Sequence, residues 1–241
     1  MEQALVVSGL RKSYGALEAL HGISFEVAPG EIFALIGPNG AGKTTTLRIV
    51  ATILQPTSGS ASVYGMDVGR QAAAVREIIS YLPEEAGAYK NLTGLGYLNF
   101  MADLFAADTA TARGYVDTAA AVSGLGERLH DKIGTYSKGM TRKLLLSRVV
   151  MTAPKLAIID EPTSGLDVVA AIDIRESIRR AAQAGMAVLL SSHNMLEIEY
   201  LSDRVAIVDK GTIHEVGSPA ELKDRYGKAN LEEVFVEVVQ R

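Results

Sequence analysis

Short apolar runs recur along the chain, separated by stretches with helical spacing. Residues 32–36, 156–159, 187–191 and 205–208 are almost wholly apolar over four or five positions. Strands buried on both faces read this way, as parallel strands covered by helices do. Residues 5–7 and 23–27 predict two more strands, the second closed by the turn Pro29-Gly30. A further strand, 60–64, follows the turn at 55–59, and 78–82 is a compact strand stopped by Pro83. Helices are predicted over 43–49 and 168–183. From 89 to 150, alanine and leucine recur at helical spacing with no convincing strand, which predicts an inserted helical subdomain. The strand–helix alternation predicts an α/β fold with helices on both faces of a parallel sheet.

Composition narrows the classes. With 241 residues, 48 % of them apolar, the chain is long enough for one large globular domain. The net charge is −4 without a dense lysine or arginine stripe, which argues against a nucleic-acid partner. There is no cysteine, so disulfides and thiolate metal sites are excluded. Apolar runs fall far short of the roughly 18 residues a spanning helix needs. The opening Met1-Glu-Gln-Ala-Leu-Val-Val reads directly as a strand, without the pattern of a signal peptide. Work at a membrane would require another chain to span it.

The strongest chemical signal is Gly37-Pro-Asn39-Gly40-Ala41-Gly42-Lys43-Thr44, set between the strand 32–36 and a helix. Its glycines let backbone N–H groups curl around nucleotide phosphates; Lys43 reaches the β- and γ-phosphates and the Thr44 hydroxyl can ligate magnesium. The helix that follows directs its positive end at the same anion. Kinases, small GTPases and many ATPases share such a loop. Downstream, the strand 156–159 delivers adjacent carboxylates, Asp160 and Glu161, one suited to the magnesium shell and the other to orienting or deprotonating the attacking water.

Three more motifs complete the order: Tyr136-Ser137-Lys138-Gly139-Met140 before the carboxylates, Ser164-Gly-Leu-Asp167 after them, and Ser191-Ser192-His193 past one more strand. In this order and over nearly its full length, the chain resembles the ATP-binding subunit of ABC (ATP-binding cassette) transporters. The resemblance implies a P-loop NTPase with a mostly parallel central sheet, an N-terminal antiparallel β subdomain and an inserted α-helical subdomain. The expected boundaries are 1–88 and 151–220 for the catalytic core, 89–150 for the helical subdomain and 221–241 for a C-terminal extension.

Carried onto this sequence, the resemblance makes Tyr14 the aromatic that stacks on adenine, with Gly37, Asn39, Gly40, Ala41, Gly42, Lys43, Thr44 and Thr45 holding phosphate. Asp160 and Thr44 would support magnesium, Glu161 would be the catalytic carboxylate and His193 the switch histidine at the γ-phosphate. Ser137 and Gly139 would contact ATP bound to an opposing subunit, and Asp167 would communicate with that subunit. Two ATP molecules would be sandwiched between two cassettes, a homodimer or a pair with a related subunit. A separate membrane permease would dock near 84–93, placing the protein peripherally on the cytoplasmic face of the membrane.

Departures from the family pattern are informative. Lys138 stands where a glycine is usual and Met140 where a glutamine is usual. Glu84 replaces the glutamine that normally follows the proline; its charged oxygen makes it an expected magnesium ligand. These departures, and the tail Asn230-Leu-Glu-Glu-Val-Phe235, are similar to the branch containing sodium, drug and polysaccharide exporters. The alternative is a soluble cassette ATPase serving an assembly or cell-division complex. The cargo is not encoded in this chain.

Overall fold

The computed structural model describes residues 2–240. Met1 and Arg241, the outer ends of the expected opening strand segment and of the expected boundaries, lie outside the described residues.

Strands β1 (Leu5–Tyr14) and β2 (Leu17–Val27) form a hairpin, and β3 (Ile32–Ile36) leads into helix α1 (Lys43–Val50). Next come β4 (Ser58–Val63), β5 (Met66–Asp67), α2 (Ala72–Ile78) and β6 (Ile79–Leu82). The following segment is helical: α3 (Gly94–Phe105), α4 (Thr109–Ser123), two 3₁₀ turns (Gly126–His130 and Ile133–Thr135) and α5 (Lys138–Val150). The alternation resumes with β7 (Leu156–Asp160), α6 (Val168–Gln183), β8 (Ala187–Ser192), α7 (Met195–Leu201) and β9 (Arg204–Asp209). It closes with β10 (Thr212–Gly217), α8 (Pro219–Tyr226) and α9 (Leu231–Val239).

One sheet has the order β2-β1-β4-β5 and is antiparallel; the other runs β10-β9-β3-β8-β7-β6. In the second sheet every pairing is parallel except the edge pair β10–β9. The pleat explains why its central strands are apolar throughout. Phe33 and Leu35 of β3 face a core shared with α1 and the antiparallel sheet, where Phe25 stacks on Phe33 at 5.1 Å. Ile32, Ala34 and Ile36 face the opposite core, built with α5, α6, α7, α8 and α9. The same division holds for Leu156 and Ile158 against Ala157 and Ile159.

Differences from the sequence reading lie at polar and edge segments. Residues 8–14 continue β1 although they are mostly polar, because β2 and β4 pair with it on either side. The expected 60–64 strand starts at Ser58 and stops at Val63, since Tyr64 turns to φ 45°. The edge strand β10, with its half-exposed Thr-Ile-His-Glu pattern, carries no continuous apolar run and was not anticipated; nor were α2, α8 and α9.

Candidate active site

Four parallel strands, β3, β8, β7 and β6, lie side by side and end at the same edge of the sheet. Their C-terminal ends release the loops carrying Gly37, His193, the Asp160–Glu161 pair and Glu84. β3 pairs with β9 on one side and β8 on the other, so its end is a switch point where the crossovers diverge, the usual crevice for ligands in open α/β sheets.

The loop after β3 wraps a cavity of about 150 Å³ lined by residues 39–45 together with Glu84 and Glu161. Gly42 caps α1 with φ 100°, and a Cβ there would lie 2.6 Å from Leu20 and 2.9 Å from the Ala19 carbonyl, so the turn admits only glycine. No side chain caps α1, which leaves its first N–H groups free to meet an anion. Lys43 Nζ donates to the carbonyls of Gly37 at 2.7 Å and Pro38 at 3.1 Å, and stands 4.0 Å from Glu161 Oε1. Burial pushes the Lys43 ammonium below its ordinary pKa; Glu161, Asp160 and Glu84 pull the other way without offsetting it.

Asp160, 2 % exposed, accepts a hydrogen bond from Ser191 Oγ. Glu161, 6 % exposed, adopts φ 47°, a left-handed conformation unfavourable for a residue with a side chain. Such strain costs on the order of 1–3 kcal/mol and concentrates at functional sites. Neighbours hold it in place: its N–H donates to Ser191 O at 3.1 Å, and Ser192 Oγ donates to Oε2 at 3.3 Å. His193 Nδ1 lies 2.9 Å from Oε1, with the imidazole half exposed. Glu84 accepts from Ser164 Oγ at 3.4 Å.

The remaining sequence candidates do not line this cavity. Ser137 is the N-cap of α5, accepting from Met140 N, and Asp167 is the N-cap of α6, accepting from Ala170 N. Gly139 faces α6 so closely that a Cβ would come within 2.8 Å of Ala170 Cβ. Tyr14 is exposed at the tip of the β1–β2 hairpin, with the Lys12 ammonium 5.2 Å above its ring. A second cavity, of about 530 Å³, adjoins the first; Glu84 and Glu161 line both, and Tyr136, Lys138, Arg142 and Ser164 line the second. Lys138 lies across Gly165 of its own chain.

Arg142 escaped the sequence reading. Its guanidinium, buried on α5, donates to five backbone carbonyls at the ends of β6 and β7. Only its position two residues after the Ser137 motif points to it, because backbone carbonyls leave no trace in a motif.

Residues 20–164 match the family model described as ABC transporter. The chain is 35 % identical over 223 residues to the linearmycin resistance ATP-binding protein LnrL of Bacillus subtilis (strain 168), covering 92 % of this chain and 72 % of the relative. It is 36 % identical to the daunorubicin/doxorubicin resistance ATP-binding protein DrrA of Streptomyces peucetius, over 93 % of this chain and 68 % of the relative. A solved ATP-binding subunit of an ABC transporter superposes with a TM-score of 0.86 at 30 % identity, covering 98 % of this chain and 99 % of that one. An open phosphate-binding loop, a strained buried glutamate and a histidine beside it thus sit in a fold and sequence shared with these proteins, and the chain belongs to the ABC transporter family as one of its ATP-binding, ATP-hydrolysing subunits.

Proposed function

We propose that this subunit closes head to tail with a second copy, or a related subunit, on two ATP molecules and drives a separate membrane exporter. One observation carries the reading: the motif residues expected to meet ATP on an opposing subunit lie apart from the phosphate-loop cavity of their own chain. Residues 39–45, Glu84 and Glu161 share a cavity, whereas Ser137, Gly139 and Asp167 stay outside it. A second chain facing the first would bring its own Ser137 and Gly139, at the start of α5, to the γ-phosphate. The resistance roles in the names of LnrL and DrrA support export.

Within this reading, residues 1–88 and 151–220 form the catalytic core, 89–150 the helical subdomain and 221–241 an extension. Glu161 takes the proton of the attacking water and His193 orients Glu161 and the γ-phosphate, while Lys43 and the α1 amides stabilise phosphate charge. Tyr14 stacks on the adenine. Thr44, Asp160 and Glu84 supply the hard oxygen donors that magnesium takes. Among the described residues no cluster of three or more His, Asp or Glu side chains forms a self-sufficient cage, so the ion would depend on phosphate and water as well, as magnesium commonly does. When bound, magnesium neutralises the phosphate charge that builds up on transfer.

Segment 84–93 is proposed to receive the permease. Exposed Tyr89 packs edge-on against exposed Phe100 at 5.7 Å, and Leu104 and Phe105 extend the apolar surface. Among the described residues no helix is long and apolar enough to cross a membrane. Docked on its permease, the protein would sit peripherally on the cytoplasmic face. The test is size-exclusion chromatography of Glu161→Gln with ATP and magnesium. A dimer that forms only with ATP and is lost on adding Ser137→Arg, with ATP binding retained, is expected. A monomer that binds ATP normally would refute closure by this chain alone.

A further inference from the structure

We propose that Arg142 is a positioning residue for ATP hydrolysis, fixing Glu161 and Glu84 relative to each other and tying both to α5. The proposal rests on the reading of Glu161 as the water-activating carboxylate.

A guanidinium carries five N–H donors in a rigid plane. In Arg142 all five find acceptors. Nε donates to Pro162 O at 2.9 Å; Nη1 to Pro83 O at 3.1 Å and Glu84 O at 3.2 Å; Nη2 to Asp160 O at 2.7 Å and Glu161 O at 2.8 Å. Every acceptor is main chain, and the residue is only 8 % exposed.

The position of these carbonyls gives the bond set its meaning. β6 and β7 pair as far as Leu82 and Ile159, where their ladder ends. Beyond that point the two chains carry Glu84 and the Asp160–Glu161 pair with no ladder between them. Arg142 takes over where the ladder stops, spanning the gap with one rigid group. It fixes the main chain at Glu161 itself, where φ is 47° and the backbone has a more relaxed conformation to fall into.

Electrostatics points the same way. Among the described residues no carboxylate bonds directly to the guanidinium, yet Asp160, Glu84 and Glu161 all lie close enough to favour its charge, against the burial that disfavours it.

The lever is also mechanical. Arg142 shares α5 with Ser137, the N-cap, so a displacement of the helix start reaches the Glu161 main chain through one side chain. A lysine cannot reproduce this, since its three donors radiate from one point.

The test measures steady-state ATPase activity, ATP Kd and thermal melting on the full chain with Arg142→Ala, Arg142→Lys and Glu161→Gln. For Arg142→Ala, kcat is expected to fall on the order of 100-fold, as a misplaced catalytic group does, with ATP Kd within about threefold of wild type. Guanidinium ion at millimolar concentration should restore about tenfold of that loss while leaving wild type and Glu161→Gln unchanged. Should Arg142→Ala not melt cooperatively, Arg142→Lys decides: low kcat with normal melting and ATP affinity supports positioning. Wild-type kcat in Arg142→Lys overturns it, as does a loss of ATP binding in step with kcat that guanidinium does not restore. The underlying assignment fails separately, if Glu161→Gln turns over ATP at the wild-type rate.

Discussion

His193 Nδ1 lies 2.9 Å from Glu161 Oε1, and the two residues stand just past the ends of adjacent parallel strands, β8 and β7. Glu161 is buried and main-chain strained, whereas the imidazole is half exposed and rests on it. The histidine therefore depends on the glutamate more than the fold depends on the histidine.

His193→Ala is accordingly expected to lower kcat on the order of 100-fold, within the range of general acid–base partners. The melting temperature should stay near that of wild type, because a half-exposed ring contributes little packing. Parallel ATPase and melting measurements check this. Equal losses in both would make His193 a structural residue.

Lys43 gives a pH prediction. Its free-state pKa is lowered by burial, and a bound triphosphate would raise it again through its negative charge. Above the free-state pKa, binding must then take up a proton, so affinity falls as pH rises. ATP Kd should increase on the alkaline side, starting below 10.5 and approaching about one log unit per pH unit. Lys43→Arg should lose this dependence, since guanidinium stays charged. Isothermal titration across the range measures both.

Where the candidate site residues sit in the fold was largely legible in the sequence, because they belong to short motifs at the ends of buried strands. Continuous apolar runs located β3, β7 and β8, and they give way to Gly37, Asp160 and the Ser191-Ser192-His193 motif. Arg142 was not legible, since its five acceptors are main-chain carbonyls that any sequence possesses. The outer half of β1 and the whole of β10 were missed for a related reason: ladder pairing holds their polar residues, and pairing partners far along the chain leave no periodic signal. Glu199 is a third case. It pairs with Lys223 and accepts from Leu231 N, fastening α8 and α9 to α7 through contacts between segments too distant to read together.

Gly139 illustrates how one residue can answer two demands. Besides its expected place at the nucleotide, it lets α5 approach α6, with a would-be Cβ 2.8 Å from Ala170 Cβ. Gly139→Ala should therefore destabilise the chain by about 1–3 kcal/mol through overpacking. Ala170→Gly in the same chain should relieve the clash and recover part of that loss, although glycine within a helix costs up to about 1 kcal/mol itself. A double-mutant cycle by urea unfolding measures the coupling. Additive losses would show that the helices separate freely at this point.

Glu84 makes the sharpest distinction between a metal-side ligand and a solvated loop carboxylate. Its side chain lines the phosphate cavity and accepts from Ser164 Oγ, and its carbonyl is held by Arg142 Nη1. Glu84→Gln keeps the length, one acceptor oxygen and the main-chain bond, and exchanges the charged second oxygen for a neutral NH2 group. A carboxylate that helps hold magnesium should then show its loss as a higher metal requirement, on the order of tenfold in the concentration giving half-maximal ATPase activity. At saturating magnesium, kcat should remain within about threefold of wild type, because Glu161, His193 and Lys43 are untouched. Manganese binds such oxygen sites somewhat more tightly than magnesium and should narrow the gap. Titrating both metals against ATPase activity separates the cases: an unchanged magnesium curve would remove Glu84 from the proposed metal site and leave Thr44 and Asp160 as the proposed donors.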